Sequence, residues 1–184
     1  MTEPRVIWEL CRDCATVMDR PGNPGRVEAV SRLLFGTAAH ESDGFAFRRQ
    51  TSPRWDGPVG GFSLWQEERG SINAGMVQLA TTGALREKAA RFLFGIDWGK
   101  AVAAGWPMRW DESFVVELLR CGCGDRLGVL LARLHYLRCP GAIPGDVHGQ
   151  AAYWKQWYNT VAGKGTVEEY LEHWARWCAP VVGQ

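Results

Sequence analysis

Apolar positions recur along most of the chain at three- and four-residue spacing, the period of a helix with one face against a core. Val6 to Met18 follows this pattern and predicts a first amphipathic helix, ended by Pro21, Gly22, Pro24 and Gly25. From Arg26 to Ser42, Val27, Val30, Leu34 and Ala38 form one stripe and predict a central helix. Between Gly44 and Gln66 the period disappears. Glycines, Pro53 and Pro58 mix there with Phe45, Phe47, Trp55 and Phe62, which predicts a small irregular or β-like wing. Helical spacing returns at Ser71 to Leu79 and Ala84 to Phe94, after which Trp98, Trp106, Pro107 and Trp110 read as a loop. Asp111 is placed to N-cap a short helix to Arg120. Asp125 to Arg138 carries Leu127, Leu130, Leu131, Leu134 and Leu137 on one face and predicts a core helix ended by Pro140. Two further helices are expected, about Val147 to Tyr158 and Thr166 to Trp177, the second opening with the Thr-x-x-Glu form of a capping box at Thr166 and Glu169. No repeat or linker interrupts this order, so the expectation is a mainly α single domain over 1–184 with a small β-like wing.

One residue breaks the pattern. At about 100° per residue, Glu41 falls within about 40° of the apolar stripe of the central helix, so a carboxyl group is aimed where an apolar side chain belongs. It stands in Ala38-Ala39-His40-Glu41-Ser42-Asp43-Gly44-Phe45, at the end of a helix and just before a Gly turn, which predicts a place at the edge of a cleft. A half-buried apolar site disfavours the ionised form of a carboxyl group and keeps it protonated near neutral pH. Glycoside cleavage needs such an acid, and a lysozyme glutamate is the established illustration of the effect. The competing use of Glu41 is a structural ion pair with Arg48 or Arg49.

Composition narrows the remaining choices. Lys plus Arg number 21 against 20 for Asp plus Glu, so net charge gives no reason to expect nucleic acid or an anionic membrane as partner. No segment is long and apolar enough to predict a membrane span. Glu3, Glu9, Asp13 and Asp19 break up the start of the chain and argue against a secretory signal, so synthesis in the cytoplasm is expected. Ten Trp residues exceed what a core of this size needs, and some of the rings are expected to face a ligand. The Cys11-x-x-Cys14 pair and Cys121 with Cys123 offer four sulfur atoms, but the second pair has CxC spacing and the first lies in a helical run where thiols pack as small apolar groups. The expectation is no metal and no cofactor. His40 and His135 are each isolated in sequence and are given no role.

Glu41-Ser42 followed by Phe45, then Gly61-Phe62-Ser63-Leu64-Trp65-Gln66, then Ala151-Ala152-Tyr153 and Tyr158-Asn159, resemble in order the motifs of lytic transglycosylases and goose-type lysozymes. From about Arg32 to Arg176 the chain is more similar still to phage proteins of this type, in which Trp replaces Met of the second motif and a segment like Tyr153 to Glu169 follows. It departs from the family pattern at Asp43, Ser63 and Arg69. The resemblance implies a lysozyme-like fold, with residues 1–25 as an N-terminal helix and turn and 26–178 as a catalytic core. It implies cleavage of the glycan strands of peptidoglycan, Glu41 as general acid/base, and substrate binding by Ser42, Gln66, Tyr158 and Asn159. Trp65, with Trp55 and Phe62, is a candidate to stack on sugar faces, with core packing the expected use of at least two of the three. A hydrolase would also need a second carboxylate, and Asp43 and Asp56 are nearest in sequence. The same resemblance implies association with a phage virion or a prophage, action at the cell wall, and other virion or tail proteins as partners. The alternative is a structural virion or adaptor protein that keeps a lysozyme-like shape without cutting. A zinc-bound nucleic-acid module is a distant third.

Overall fold

The computed structural model describes residues 3–19, 23–47, 61–103, 119, 124–160 and 163–183, and these are mainly helical. Helix α1 (Pro4–Met18) starts with Pro at its first position and buries Ile7, Cys11, Cys14, Ala15 and Met18 along one face. Helix α2 (Pro24–Glu41) is capped by Asn23, whose side chain accepts from the Arg26 N–H. The apolar stripe read from the sequence understates how far α2 is enclosed: every residue from Ala29 to Ala39 except Arg32 is buried. Its two buried hydroxyls bond back to the helix, Ser31 Oγ to Val27 O and Thr37 Oγ1 to Leu33 O, both at 2.7 Å, so neither polar group is left unpaired.

Four further helices surround the centre: α3 (Arg69–Thr81), α4 (Gly83–Phe94), α5 (Trp98–Ala103) and α6 (Asp125–Arg138). Helix α5 corrects the reading of Trp98 as loop: Asp97 Oδ1 accepts from the Lys100 N–H and starts a short turn of helix there. Helix α6 spans the interval expected, with Leu127, Leu130, Leu131 and Leu134 buried. Asp19, at the end of α1, ties three helices together. It is 4% exposed, receives two hydrogen bonds from the Arg133 guanidinium of α6 at 2.7 and 2.8 Å, and receives one from Arg26 of α2 at 2.9 Å. Burial alone would push the Asp19 carboxyl up. The bonds and charges of the two arginines outweigh it and hold the group below the ordinary carboxylate range. Lys88 of α4 covers the end of α1 by donating to the Met18 and Asp19 carbonyls.

The chain returns through α7 (Val147–Trp154), which widens into a π-turn at Lys155–Asn159, then α8 (Val167–His173), a second π-turn at Trp174–Cys178, and α9 (Ala179–Val182). The Thr166–Glu169 capping box is formed as the sequence predicts. Both sequence-predicted helices are thus present but change pitch in their last third. Most of the expected wing, and the short helix expected from Asp111 to Arg120 apart from buried Leu119, lie outside the described residues. What is described of the wing is a turn over 42–46 and a hairpin closed by a bridge between Phe62 and Glu67, at 3.0 and 2.9 Å. No described helix is long and apolar enough to cross a membrane.

Candidate active site

The Glu-Ser-x-x-Phe element explains how Glu41 is held. Glu41 is the last residue of α2. The Ser42 hydroxyl donates to Ala38 O at 2.6 Å and accepts from the Phe45 N–H at 3.0 Å, which closes the helix and turns the chain sharply. Phe45 then enters the core, fully buried and stacked on Phe35 at 5.2 Å. Asp43, Gly44 and Phe45 all have positive φ, and at Gly44 a side chain would run into the Trp177 indole, so only glycine fits. Such left-handed backbone costs about 1–3 kcal/mol at each non-glycine position, and the buried Phe45 ring is what keeps it in place. Ser42 therefore serves the fold of the turn: it is 1% exposed and its hydroxyl is used up on backbone groups, which corrects its assignment to substrate.

Glu41 is partly buried on the wall of a cavity of about 610 Å³, within the size range of small-ligand clefts. One carboxylate oxygen accepts from the Trp154 indole N–H at 2.9 Å. Burial pushes the Glu41 carboxyl up from 4.5 to about 7. The Trp154 bond works in the opposite direction, and the nearby charges of Glu67 and Glu68 add to the rise. The protonated form that a general acid needs is therefore favoured towards neutral pH. Arg48 and Arg49, the alternative partners for Glu41, lie outside the described residues.

The second and third motifs reach the same cavity. Gln66 lines it, with its amide N–H donating to Ser63 O at 2.7 Å and Phe47 O at 3.4 Å, which fixes the side chain to the turn. Tyr158 and Asn159 line it from the π-turn. The Tyr158 hydroxyl lies 2.7 Å from both Trp65 O and Glu67 Oε1, which lets it donate to either acceptor. Burial first, then the Glu67 charge, pushes the Tyr158 phenol far above 10, so it remains neutral. Asn159 Oδ1 accepts from Lys155 Nζ at 2.8 Å, and the same ammonium donates to Gly163 O at 2.9 Å, pinning the Gly163-Lys164-Gly165 loop over the cavity. At Gly165 a Cβ would lie 2.8 Å from His40 Nε2 and from Trp154 Cη2, so the loop needs glycine to approach this closely.

Trp65 does not face a ligand. It is fully buried and its N–H donates to Leu34 O of α2 at 2.8 Å, so the ring anchors the hairpin to the central helix. Phe62 is 1% exposed and is likewise core, while Trp55 and Asp56 lie outside the described residues. Asp43 is exposed and is not on the cavity wall. Glu67, 2% exposed and next to Gln66, is instead a carboxyl group of the cavity wall, with the exposed Glu68 beside it. The sequence reading missed it because a charged residue after a turn looks like solvated surface. Trp154 was also missed: helical spacing marks it as core, and only the packing shows that its N–H points at Glu41.

The isolated histidines both line the cavity. His40 packs edge-on against Trp154 at 4.4 Å and lies 5.0 Å from the His173 ring. Burial, then the His173 charge, pushes it down to about 4, so it is neutral beside Glu41. Among the described residues no group of three or more His, Cys, Asp or Glu is placed to hold a metal. Cys11 and Cys14 are buried thiols, raised by burial well above their ordinary range, and Cys121 and Cys123 lie outside the described residues. Compared with known proteins, the chain matches no family model, no curated protein and no solved structure.

Proposed function

We propose that the protein is a glycosidase that cleaves peptidoglycan glycan strands, of lytic transglycosylase or lysozyme type, with Glu41 as general acid/base. One arrangement carries the reading: a carboxyl group on the wall of a sugar-sized cavity, oriented by a buried indole N–H and raised by burial towards neutral pH. Protonated Glu41 gives its proton to the glycosidic oxygen as the C–O bond breaks and positive charge builds on the sugar ring. The carboxylate that remains then takes a proton. In the transglycosylase ending that proton comes from the muramic C6 hydroxyl, which closes a 1,6-anhydro ring. In the lysozyme ending it comes from water, with Glu67 as a second carboxyl group on the cavity wall. Gln66, Tyr158 and Asn159 are the substrate-facing polar groups in this reading. The motif order in the sequence also supports association with a phage particle that delivers the enzyme to the wall.

The test is digestion of purified sacculi by the wild type and by Glu41→Gln, followed by mass spectrometry of the soluble muropeptides. Glu41→Gln keeps shape and the Trp154 hydrogen bond but has no acidic proton, so release should fall by about 10²-fold or more. Equal digestion by the folded variant would end the role given to Glu41, and no digestion by either protein would leave the reading of a structural virion protein. The products assign the ending, since the anhydro product is lighter than the reducing one by one water.

A further inference from the structure

The same cavity holds a second set of reactive groups that glycan cleavage does not use. Ser71 Oγ in α3 is 2.9 Å from His135 Nδ1 in α6, and His135 Nε2 is 2.9 Å from Trp157 O. A carbonyl oxygen only accepts, so Nε2 carries the ring proton. In the neutral ring Nδ1 is then a bare acceptor directed at the Ser71 hydroxyl. The order is hydroxyl, imidazole and a fixed acceptor that orients the imidazole, which is the arrangement of an activated serine nucleophile. Both Ser71 and His135 line the cavity. The His135 ring packs against Tyr158 at 4.6 Å and Tyr136 at 5.8 Å, so its tilt is set by packing.

Two further features suit acyl transfer. Ser71 is in the first turn of α3, whose first helical hydrogen bond runs from the Ile72 N–H to Glu68 O. The N–H groups of Gly70 and Ser71 precede that bond and have no partner within the helix, which places donors and the positive end of the helix dipole beside Oγ. The Arg138 guanidinium reaches Ser71 Oγ at 3.4 Å and adds positive charge where an alkoxide would form.

We propose that Ser71 and His135 form a nucleophile and base for ester hydrolysis, acting on acetyl esters of sugar hydroxyls. The choice of a sugar ester rests on the glycan reading of this cavity; the Ser71–His135 pair does not. In the first half-reaction Ser71 Oγ bonds to the ester carbonyl carbon while its proton passes to His135 Nδ1. The resulting oxyanion lies near the N-terminal donors of α3. Collapse breaks the bond to the sugar oxygen, which leaves with the proton returned by His135. Water then attacks the acetyl-serine, gives its proton to Nδ1, and releases acetic acid and free Ser71. No oxidant or second substrate is needed.

Full-length protein is treated with a fluorophosphonate probe and assayed for acetate release from O-acetylated and from de-O-acetylated sacculi. The expected results are a covalent adduct on Ser71 by peptide mass spectrometry, and acetate release that falls about 10³-fold or more in Ser71→Ala. Glu41→Gln should still release acetate, and Ser71→Ala should still solubilise de-O-acetylated sacculi. His135→Gln should lose the adduct as well, with thermal melting as the check that it folds. No adduct on Ser71 in the wild type, or acetate release unchanged in Ser71→Ala, overturns the proposal. Acetate release that depends on Ser71 without strand cleavage by any variant supports the Ser71–His135 pair and refutes only the role given to Glu41.

Discussion

Replacing Glu41 by Gln should make the protein more stable at alkaline pH while removing its activity. Burial raises the Glu41 carboxyl from 4.5 in a free chain to about 7 in the folded protein. A group raised in this way binds protons more tightly when folded than when unfolded. Below pH 4.5 it is neutral in both states and costs nothing. Between 4.5 and about 7 the unfolded chain ionises first, so folding stability falls as pH rises, and above about 7 the full cost is present. At about 1.4 kcal/mol per pH unit, the difference between 4.5 and about 7 gives a ceiling of about 3 kcal/mol. Gln is neutral at every pH, and its amide oxygen can still accept the Trp154 N–H now held by Glu41 Oε1. Allowing about 1 kcal/mol for imperfect replacement of that hydrogen bond leaves about 2 kcal/mol in favour of the variant at pH 8. For a chain of this length that is a rise in Tm of about 4–8 °C. At pH 4 the wild type and variant should melt together, or the variant slightly lower. Urea or thermal unfolding of both proteins from pH 4 to 9 tests this. A stability difference that does not change with pH, or that grows in favour of the wild type above pH 7, would refute the claim that burial governs this carboxyl group.

Two other outcomes follow from the same physical terms. Because the Glu67 charge helps raise Glu41, Glu67→Gln should move the alkaline limb of sacculus digestion to lower pH, and a limb that stays in place or moves up would rule out that coupling. Asp19→Ala strands the buried Arg133 guanidinium without its partner and should cost about 3–5 kcal/mol in urea unfolding at pH 7. Since Asp19 is held below 3.8 when folded, its contribution is present above that value and lost on acidification through the folded-state value, so the gap between wild type and variant should narrow in acid.

The helices were largely legible because burial of one face leaves a period in the sequence. Asp125–Arg138 appears over the interval its leucine spacing predicts, and the Thr166–Glu169 capping box forms from groups within three residues of each other. Helix α5 was missed because its start depends on the Asp97 side chain rather than on an apolar stripe. Glu41 was also visible, since a carboxyl group in an apolar stripe is a local anomaly. The roles around it were not. Trp65 and Trp154 are both fully buried tryptophans near sequence motifs, yet the Trp65 N–H closes on the Leu34 carbonyl and the Trp154 N–H on Glu41. Composition cannot tell these apart, because the partner lies 31 residues away in one case and 113 in the other.

The sequence alone determined most of the described segments that coil, and that one carboxyl group at the end of the central helix stands where an apolar residue belongs. Only the tertiary structure decided that this group meets an indole N–H, that Glu67 rather than Asp43 shares its cavity, and that Ser71 and His135 face each other across 64 residues of chain. Helical period and capping arise from interactions within a few residues, so they are recorded in local order. Proton affinity and hydrogen-bond partnership depend on burial and on which helices pack together, and those are properties of the folded chain.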